Sequence, residues 1–388
     1  MPKKKIILLN ITGGPVIKEG AFGFTEGGLV HALLSLEGLS ADYDITILCP
    51  GFPGRTSDEV ICYKGVKVVC LAGSRWVRWM QVGSLSFLRK TRRHVGKNKP
   101  DIIIGNGVLA TVLLRFSPRS ALRIGIVHHL YHDRVHHAAG VTGISGFRVR
   151  VMGWLEKMAL HFTKVDKVAV INPVVKEILS KDGFRAEDIM VAGNGVDVEE
   201  YPFTLNKDAN TLIYIGRLVE LKGVDTLMEA VSEIKQEIPD VKLHLVGDGP
   251  DHERMRKKIM AMGIGDNVVL HGYVSEQEKV DLLSRASVYV SASSFEGFGI
   301  PVVEAMATGA VPVVSDIASH RFIFQGRPVG CLVNNRDEMV RKVLELLSDE
   351  EKRQELARSG RSLVEERWTW TTASTQYRKI IEEGLNGQ

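Results

Sequence analysis

The chain has 388 residues, more than one domain of about 100–200 residues usually holds, so we expect two hydrophobic cores. Its 44% hydrophobic and 25% charged residues, with a net charge of only +4, exclude a disordered or fibrous protein, and no run approaches the ~20 apolar residues of a transmembrane helix. The four cysteines form no C-x-x-C pair, which argues against a disulfide or zinc framework and favours a cytoplasmic location.

In the first half of the chain, short β-branched runs alternate with helical patterns. The predicted strands are Ile6–Leu9, Ile45–Cys49, Val66–Leu71, Ile102–Ile104, Ile124–Val127 and Val168–Ile171. The predicted helices are Gly28–Leu36, Phe147–His161 and Pro173–Lys181. Continuous apolar strands are typical of parallel sheets that helices cover on both faces, so this half predicts a doubly wound α/β domain.

Positive charge is concentrated between residues 60 and 155, where 16 lysines and arginines stand against 2 acidic residues. Within residues 75–99, Trp76, Trp79, Met80 and Phe87 are interleaved with the basic residues, a pattern that suits an anionic phospholipid surface. We favour peripheral contact with the cytosolic face of a membrane, with a solvated basic face as the alternative. No nucleic-acid motif accompanies the charge, so nucleic acid is not expected as a partner.

The second half of the chain repeats the alternation. Its predicted strands are Leu212–Ile215, Lys242–Val246, Val268–Leu270, Val288–Val290 and Val311–Val314. Its predicted helices include Val224–Ile238, Asp251–Met262 and Ser275–Ala286, and the chain after Arg336 is almost wholly helical. We therefore predict two doubly wound domains, residues 1–193 and 194–370, with the last helix, about residues 371–388, crossing back onto the first.

Two segments after strands of the second half predict a phosphate site. In YIGRLVELKG, Gly216 ends a strand, and Arg217 and Lys222 follow at the carboxyl edge of the sheet, where doubly wound folds bind ligands. Two cations there could neutralise a diphosphate, although surface residues at a helix start would show the same spacing.

In FEGFGIPVVEAMATG, Gly297 and Gly299 permit an unusual turn, and a helix begins near Ile300, so backbone N–H groups of residues 298–300 can bind phosphate. Glu296 and Glu304 border this cradle, and sugar hydroxyls are their natural partners. Eight residues of helix separate their backbones by about 12 Å, too far for the carboxyl pair of a glycosidase. A purely structural role at a helix start would fit Glu304 but would leave the glycine-rich turn unexplained.

These strings, together with LVGDGP and the preceding NGVD, resemble family 4 of the retaining glycosyltransferases over residues 194–316. The resemblance implies a GT-B fold of two facing Rossmann-like domains, in which the C-terminal one holds a nucleotide-sugar donor. It places Arg217 and Lys222 on the diphosphate, Glu296 on the hexose hydroxyls and Glu304 on the ribose. Further donor contacts would come from backbone and turn residues: Gly216, Gly272, Tyr273, Val274, Gly297, Phe298, Gly299 and Ile300.

The N-terminal half matches the family less tightly. Gly27 and Gly28 before a helix resemble its donor-side glycine loop and would face the diphosphate, with a flexible loop before a core helix as the alternative. A cluster of five histidines between residues 128 and 137 follows the strand Ile124–Val127, and the resemblance makes His128 or His129 the catalytic candidate. We prefer His128 because it comes first. His132 and His136 could ligate a metal at i, i+4, but no H-E-x-x-H pattern supports one.

Two further patterns suggest rival functions and are weaker. Asp42-Tyr43-Asp44 matches a metal-binding D-x-D pair but precedes its strand, so it would lie at the amino edge, away from ligand. The G-x-G-x-x-A string at residues 105–110 suits a dinucleotide site but does not belong to the first strand–helix turn of its domain.

The expected activity is transfer of a hexose from a UDP-, GDP- or ADP-sugar to an acceptor hydroxyl with retention, without a cofactor or divalent metal. The acceptor would be a carbohydrate or lipid-linked, and the sequence identifies neither the donor base nor the acceptor. Among proteins of the same architecture, a sugar-nucleotide epimerase, a sugar phosphorylase and a non-catalytic sugar-nucleotide binder remain alternatives.

Overall fold

The computed structural model describes residues 2–10, 15–18, 21–24, 27–51, 57–72, 85–128, 154, 158, 162–163 and 165–387, with the side chains of residues 15–18, 21–24, 27–29, 85–86 and 116 left aside. The described chain divides into two compact units. The first unit holds the described residues up to 194 together with 370–387, and the second holds residues 195–369. Trp76, Trp79, Met80, His129, His132, His136 and His137 lie outside the described residues, as does most of the predicted helix Phe147–His161.

The first unit is built on an eight-stranded sheet in the order β10-β9-β8-β7-β1-β4-β6-β5. Its strands are β1 (Lys4–Asn10), β4 (Tyr43–Pro50), β5 (Glu59–Tyr63), β6 (Val66–Leu71), β7 (Ile102–Asn106), β8 (Leu122–Val127), β9 (Lys167–Val170) and β10 (Ile189–Val191). All neighbours are parallel except β5 and β6, and a separate hairpin pairs β2 (Pro15–Lys18) with β3 (Ala21–Phe24). The strand order reverses direction between β1 and β7.

Helices cover both faces of this sheet because successive strand residues alternate between the faces. They are α1 (Gly27–Glu37), α2 (Leu85–Asn98), α3 (Val108–Leu113), α4 (Pro173–Lys181) and the final helix α12 (Trp370–Asn386). Ile6 and Leu8 pack with residues of α1 and with Tyr377 of α12, whereas Ile7 and Leu9 pack on the other face with α2. The predicted return of the last helix to the first domain is therefore confirmed.

Phe87 corrects one sequence-based expectation. We predicted it for a lipid-facing surface, but its side chain is fully buried in the core between α2 and the sheet. Phe87, Thr91 and Val95 share one face of α2 at helical spacing, and all three are buried. The charge of α2 therefore lies on the opposite face, without an aromatic contribution from Phe87.

The second unit is built on a six-stranded parallel sheet in the order β13-β12-β11-β14-β15-β16. Its strands are β11 (Asp208–Ile215), β12 (Lys242–Val246), β13 (Val268–Gly272), β14 (Ala286–Ser291), β15 (Val311–Ser315) and β16 (Cys331–Val333). Its helices are α5 (Val224–Ile234), α6 (His252–Ala261), α7 (Glu276–Arg285), α8 (Ile300–Thr308), α9 (Ala318–Phe324), α10 (Arg336–Ser348) and α11 (Glu350–Arg367).

The strand order of this sheet reverses between β11 and β14, which opens a crevice at their carboxyl ends. Every residue of β14 is buried, because helices cover both faces of this central strand. Two doubly wound α/β domains are thus confirmed. Among the described residues, no helix is both long enough and apolar enough to cross a membrane.

Candidate functional site

Arg217 and Lys222 lie at the carboxyl end of β11, beside the crevice of the second sheet. Arg217 is exposed, and its guanidinium has no side-chain partner among the described residues. A short 3-10 turn, Glu220–Lys222, ends at Gly223, after which α5 begins. This turn brings Lys222 back toward the end of β14, since the backbone N–H of Ser294 donates to the carbonyl of Leu221 over 3.1 Å.

Three glycines allow this edge of the sheet to pack closely. Gly223 has φ +64°, and a Cβ added there would lie 2.2 Å from the carbonyl oxygen of Ala292. A Cβ on Gly247 would lie 2.0 Å from the carbonyl oxygen of Gly216, and one on Gly216 would lie 2.5 Å from the hydroxyl of Tyr214. Bare backbone is therefore required where the ends of β11, β12 and β14 converge.

Lys222 and Glu296 form the central ion pair of the site. Lys222 Nζ donates to Glu296 Oε2 over 2.6 Å, and the two side chains are 20% and 18% exposed. Ser293 Oγ donates to the other oxygen, Oε1, over 2.8 Å, and Ser319 Oγ donates to the backbone carbonyl of Glu296 over 2.6 Å. Lys222 and Ser293 hold the carboxylate in one orientation, and Ser319 holds the backbone of Glu296. The sequence analysis had identified neither serine.

Helix α8 begins at Ile300, four residues after Glu296, where the sequence predicted an anion cradle. Gly299 caps the helix with φ +104°, and Pro301 occupies its first turn, as expected for a proline without an N–H. The ring of Phe298 is buried and meets Trp368 at 5.4 Å between centroids. The ring of Phe322 makes edge contacts with both rings and so helps to fix the cradle.

Glu304 is 6% exposed on α8 and has two partners that the sequence analysis missed. Tyr201 Oη donates to its Oε1 over 2.7 Å, and Lys279 Nζ donates to the same oxygen over 2.9 Å. Burial alone would lower the pKa of Lys279, but the neighbouring Glu304 carboxylate raises it above its usual value, so the lysine is charged. Oε2 makes no hydrogen bond to the described residues and remains able to accept one.

Gly272 ends β13 beside the end of β12, and Tyr273 and Val274 follow it in a turn. The backbone N–H of Gly247 donates to the carbonyl of Gly272 over 2.8 Å, and Gly272 has φ +70°. The ring of Tyr273 is 71% exposed, and Val274 is half-buried. An exposed aromatic ring on a fixed turn at the ligand edge can stack on a planar base.

In the first unit, three polar side chains meet at the carboxyl edge where the strand order reverses. Asn10 ends β1, Asn106 ends β7 and His128 follows β8. Asn106 Nδ2 donates to Asn10 Oδ1 over 2.8 Å, and Asn106 Oδ1 lies 2.7 Å from His128 Nε2. In this arrangement Nε2 carries the proton of His128 and Nδ1 is the acceptor.

His31 of α1 adds a second histidine to this edge. Its ring meets that of His128 edge-on, with centroids 5.0 Å apart, and its Nε2 lies 3.1 Å from the hydroxyl of Tyr377. Burial lowers the pKa of His128 to about 4, and burial together with His128 lowers that of His31 well below its usual range. Both rings are therefore neutral near pH 7, a fact that residue spacing alone did not indicate.

The structure locates the remaining sequence candidates as follows. Helix α1 begins at Gly27, one residue before the predicted start at Gly28. Asp42 lies at the amino edge of the first sheet and pairs with Arg378 of α12 over 2.7 Å. In the 105–110 string, a Cβ on Gly105 would lie 2.6 Å from backbone atoms of Thr111, so this glycine serves the packing of α3 against β7.

Comparisons with known proteins agree with this architecture. The family model for glycosyl transferases group 1 matches residues 197–363, and that for glycosyltransferase family 4 matches residues 26–200. An uncharacterized glycosyltransferase of Methanocaldococcus jannaschii is 23% identical over 389 residues, covering 93% of this chain and 96% of that protein. The MMP alpha-(1->4)-mannosyltransferase of Mycolicibacterium hassiacum is 28% identical over 293 residues, covering 74% and 71%.

Solved structures share the fold over nearly the whole chain. Sucrose-phosphate synthase of Thermosynechococcus elongatus has a TM-score of 0.81 at 20% identity and full coverage of both chains. Anabaena HepE in complex with UDP-glucose has a TM-score of 0.72 at 16% identity, covering 99% of this chain and 100% of that one. With both family models matched in order along the chain, the protein belongs to the group 1 glycosyltransferases of family 4 and is a glycosyltransferase with the GT-B fold.

Proposed function

We propose that the protein transfers a hexose from a nucleoside diphosphate sugar to an acceptor hydroxyl with retention of anomeric configuration. The observation that carries this proposal is the grouping of Arg217, Lys222 and the start of α8 at one crevice of the second sheet. Two cations and the positive end of a helix dipole suit a diphosphate. Glu296, held by Lys222 and Ser293, then lies beside the diphosphate, where its carboxylate can accept hydrogen bonds from the hydroxyls of the hexose.

The other donor groups match side chains and turns of the same unit. The available Oε2 of Glu304 can accept from a ribose hydroxyl, and the exposed ring of Tyr273 with its turn can contact the base. This assignment agrees with a fold relative solved with UDP-glucose, while UDP, GDP and ADP all remain candidates. A carboxylate accepts equally from hydroxyls of either configuration, so Glu296 alone does not select the hexose.

Retention follows in our proposal from a same-face displacement. The bond from the anomeric carbon to the phosphate oxygen breaks, the bond to the acceptor oxygen forms, and the acceptor proton passes to the departing phosphate. Glu296 has both oxygens engaged by Lys222 and Ser293, which favours a binding role over that of a covalent nucleophile. The similar mannosyltransferase, named for an alpha-(1->4) linkage, is consistent with retention.

Charge stabilisation would come from the chain itself, without a divalent metal. As the leaving phosphate gains negative charge, Arg217, Lys222 and the α8 dipole are already oriented toward it. Preorganised donors of this kind supply about 3–4 kcal/mol each to a transition state.

A two-stage assay tests the proposed reaction. Thermal-shift measurements with UDP-, GDP- and ADP-sugars identify the donor, because a ligand that binds only the folded state raises the melting temperature. Proton NMR of the product of that donor then reports the anomeric configuration. Release of free nucleoside diphosphate only with acceptor present is the expected result, and acceptor-independent release would favour an epimerase or another nucleotide-sugar enzyme.

We further propose a lipid-linked acceptor at an anionic, cytosolic membrane surface. Helix α2 carries no acidic residue, and its exposed face has four cations without side-chain partners among the described residues: Arg89, Arg92, Arg93 and Lys97. Beside it lies a largely apolar cavity of about 540 Å³, within the range of about 300–1,000 Å³ of ligand pockets. Its lining includes Leu88, Val95, Arg89 and Arg92, which suits the apolar chain of an anionic lipid.

Vesicle flotation tests this second part. The wild type should float with phosphatidylglycerol vesicles and not with phosphatidylcholine vesicles. Reversal of Arg92 and Arg93 to glutamate should weaken flotation about tenfold or more, since each basic residue contributes about 1 kcal/mol at such a surface. A control with Lys257 and Lys379 reversed, both exposed on other helices, should float like the wild type. Equal absence from both vesicle types would refute the membrane proposal.

A further inference from the structure

His320 is a buried histidine of α9, and only one of its two ring nitrogens has a hydrogen-bond partner among the described residues. It is 0% exposed, and its Nδ1 lies 2.7 Å from the carbonyl oxygen of Ser315. A carbonyl can only accept, so Nδ1 carries the proton and Nε2 is the unprotonated nitrogen. Nε2 is buried and has no hydrogen-bond partner among the described residues, and such orphaned polar atoms are rare in folded proteins.

The unsatisfied edge of this ring faces the start of α8. A Cβ built on Gly299 would lie 3.6 Å from His320 Cδ2 and 3.7 Å from Nε2. Gly299 caps α8, and its neighbours offer the backbone N–H groups that the proposed function assigns to phosphate. Nε2 is therefore close to the place where a phosphate oxygen would lie.

The groups around His320 shift the pKa of its ring in both directions. Burial lowers the pKa of the ring, and Lys222 lowers it further, whereas Ser315, Glu296 and Asp316 act to raise it. The ligand-free ring is therefore neutral near pH 7. A neutral Nε2 would present a lone pair to a phosphate oxygen, which is repulsive, while an imidazolium would donate to it.

We propose that His320 takes up a proton from solvent when the diphosphate of a sugar nucleotide binds at the start of α8, and that its Nε2–H then donates to a phosphate oxygen. This inference rests on the proposed function, because it needs the diphosphate at that helix start. It assigns to His320 a binding contact that strengthens as the ligand brings negative charge.

The proposal fixes the sign of the pH dependence of donor affinity. The bound diphosphate raises the pKa of His320 above its ligand-free value. Affinity is then constant below the ligand-free pKa, falls by up to tenfold per pH unit between the two pKa values, and is constant again above the bound pKa. Over the range in which the free ring is neutral and the bound ring is charged, each binding event consumes close to one proton.

Titration calorimetry in pairs of buffers with different ionisation enthalpies measures this proton directly. UDP-glucose and GDP-mannose are the probes, because their phosphate diesters do not titrate near neutral pH, unlike phosphate monoesters with a pKa of about 6. Measurements at pH 6, 7 and 8 should show proton uptake by the wild type and weaker binding as the pH rises.

Variants separate the role of His320 from simple packing. His320→Gln should abolish proton uptake and weaken binding about tenfold or more at pH 6, the effect expected for a lost hydrogen bond to a charged group. The difference from the wild type should shrink as the pH rises from the ligand-free pKa toward the bound pKa. His94→Gln, a change of a half-buried histidine on α2, should leave both quantities as in the wild type.

The outcomes distinguish this inference from the proposed function. If the wild type binds either sugar nucleotide without proton uptake, His320 has no such role, although the donor site stands. If the wild type binds none of the UDP-, GDP- and ADP-sugars of the thermal-shift screen, the donor site itself is refuted, and the inference with it. The wild-type proton count does not depend on whether the variant folds.

Discussion

Lys222 is both a predicted diphosphate ligand and the partner of Glu296 in the ligand-free protein. The pair is mostly shielded from solvent, and removing one member leaves the other charge without compensation. Because Ser293 also holds Glu296, the carboxylate keeps one of its two contacts when the lysine is absent. Loss of Lys222 should therefore affect chemistry more than folding.

We predict that Lys222→Ala lowers turnover about 10²–10³-fold, the cost of removing one preorganised donor to developing charge. The melting temperature should change little. Lys235→Ala is the control, since Lys235 donates to the carbonyl of Gly263 away from the crevice. Turnover of the variant within twofold of the wild type would contradict the proposed role of Lys222.

Asn106 is a positioning residue for His128, because its Oδ1 fixes which ring nitrogen carries the proton. We predict that Asn106→Asp raises the pKa of His128 by about 1–3 units, as a carboxylate within hydrogen-bond distance does. NMR titration of the His128 ring gives the pKa without any assay of activity. Asn98→Asp, a change at the end of α2, is the control.

A catalytic readout accompanies that titration. The pKa of His128 is about 4 in the wild type, so the ring stays neutral throughout the usual assay range. In Asn106→Asp, turnover should fall as the pH drops through the raised pKa, because the imidazolium no longer offers Nδ1 as an acceptor. An unchanged His128 pKa in this variant would show that Asn106 does not face the ring as described.

At the scale of elements, the crevice depends on glycines at the ends of strands. Gly223 and Gly263 have nearly the same positive φ, +64° and +62°, but differ in their surroundings. A Cβ on Gly223 would lie 2.2 Å from the Ala292 carbonyl oxygen, while one on Gly263 would meet nothing within 4 Å. Substituting each glycine in turn therefore distinguishes the cost of backbone strain, present at both positions, from the cost of a steric clash, present only at Gly223.

We predict that Gly263→Ala costs about 1–2 kcal/mol, the strain of a side chain in the left-handed region. Gly223→Ala should cost more, because the β11 and β14 loops must also move apart. Thermal unfolding midpoints of both variants test this comparison. Equal midpoints would mean that the contact with Ala292 relaxes without cost.

The central strands could be predicted from the sequence, and several edge strands could not. The predicted runs Ile102–Ile104 and Val288–Val290 lie within the central strands β7 and β14, because strands buried on both faces are continuous apolar runs. β5 at the edge of the first sheet alternates in exposure, and β10 and β16 have only three residues each. Such short or half-exposed strands carry too little apolar signal to be distinguished from loops.

The hydrogen-bond partners of the site residues also could not be predicted from the sequence. The motif placed Glu296 and Glu304 on either side of the α8 start, but Lys279 comes from a different helix, and Tyr201 from the chain before β11. Residues 25 and 103 positions away from Glu304 meet it only because the chain folds around one sheet. A helical pattern around Lys279 gives no sign of that contact.

At the scale of the whole molecule, the leaving group should be stabilised by charges of the chain alone. We predict that turnover measured with saturating donor persists after dialysis against EDTA. Readdition of Mg²⁺ or Mn²⁺ should change it less than twofold. Loss of turnover with chelator and its recovery with either metal would contradict the metal-independent mechanism.

The sequence by itself determined the two α/β domains, their central strands and the motifs at their ligand edge. It did so because apolar runs and glycine spacing are local, and local patterns decide which segments become strands and turns. Tertiary structure decided the burial of Phe87, the partners of Glu304, and the proton positions on His128 and His320. These depend on long-range packing, since burial, hydrogen-bond geometry and local charge arise only where distant segments meet.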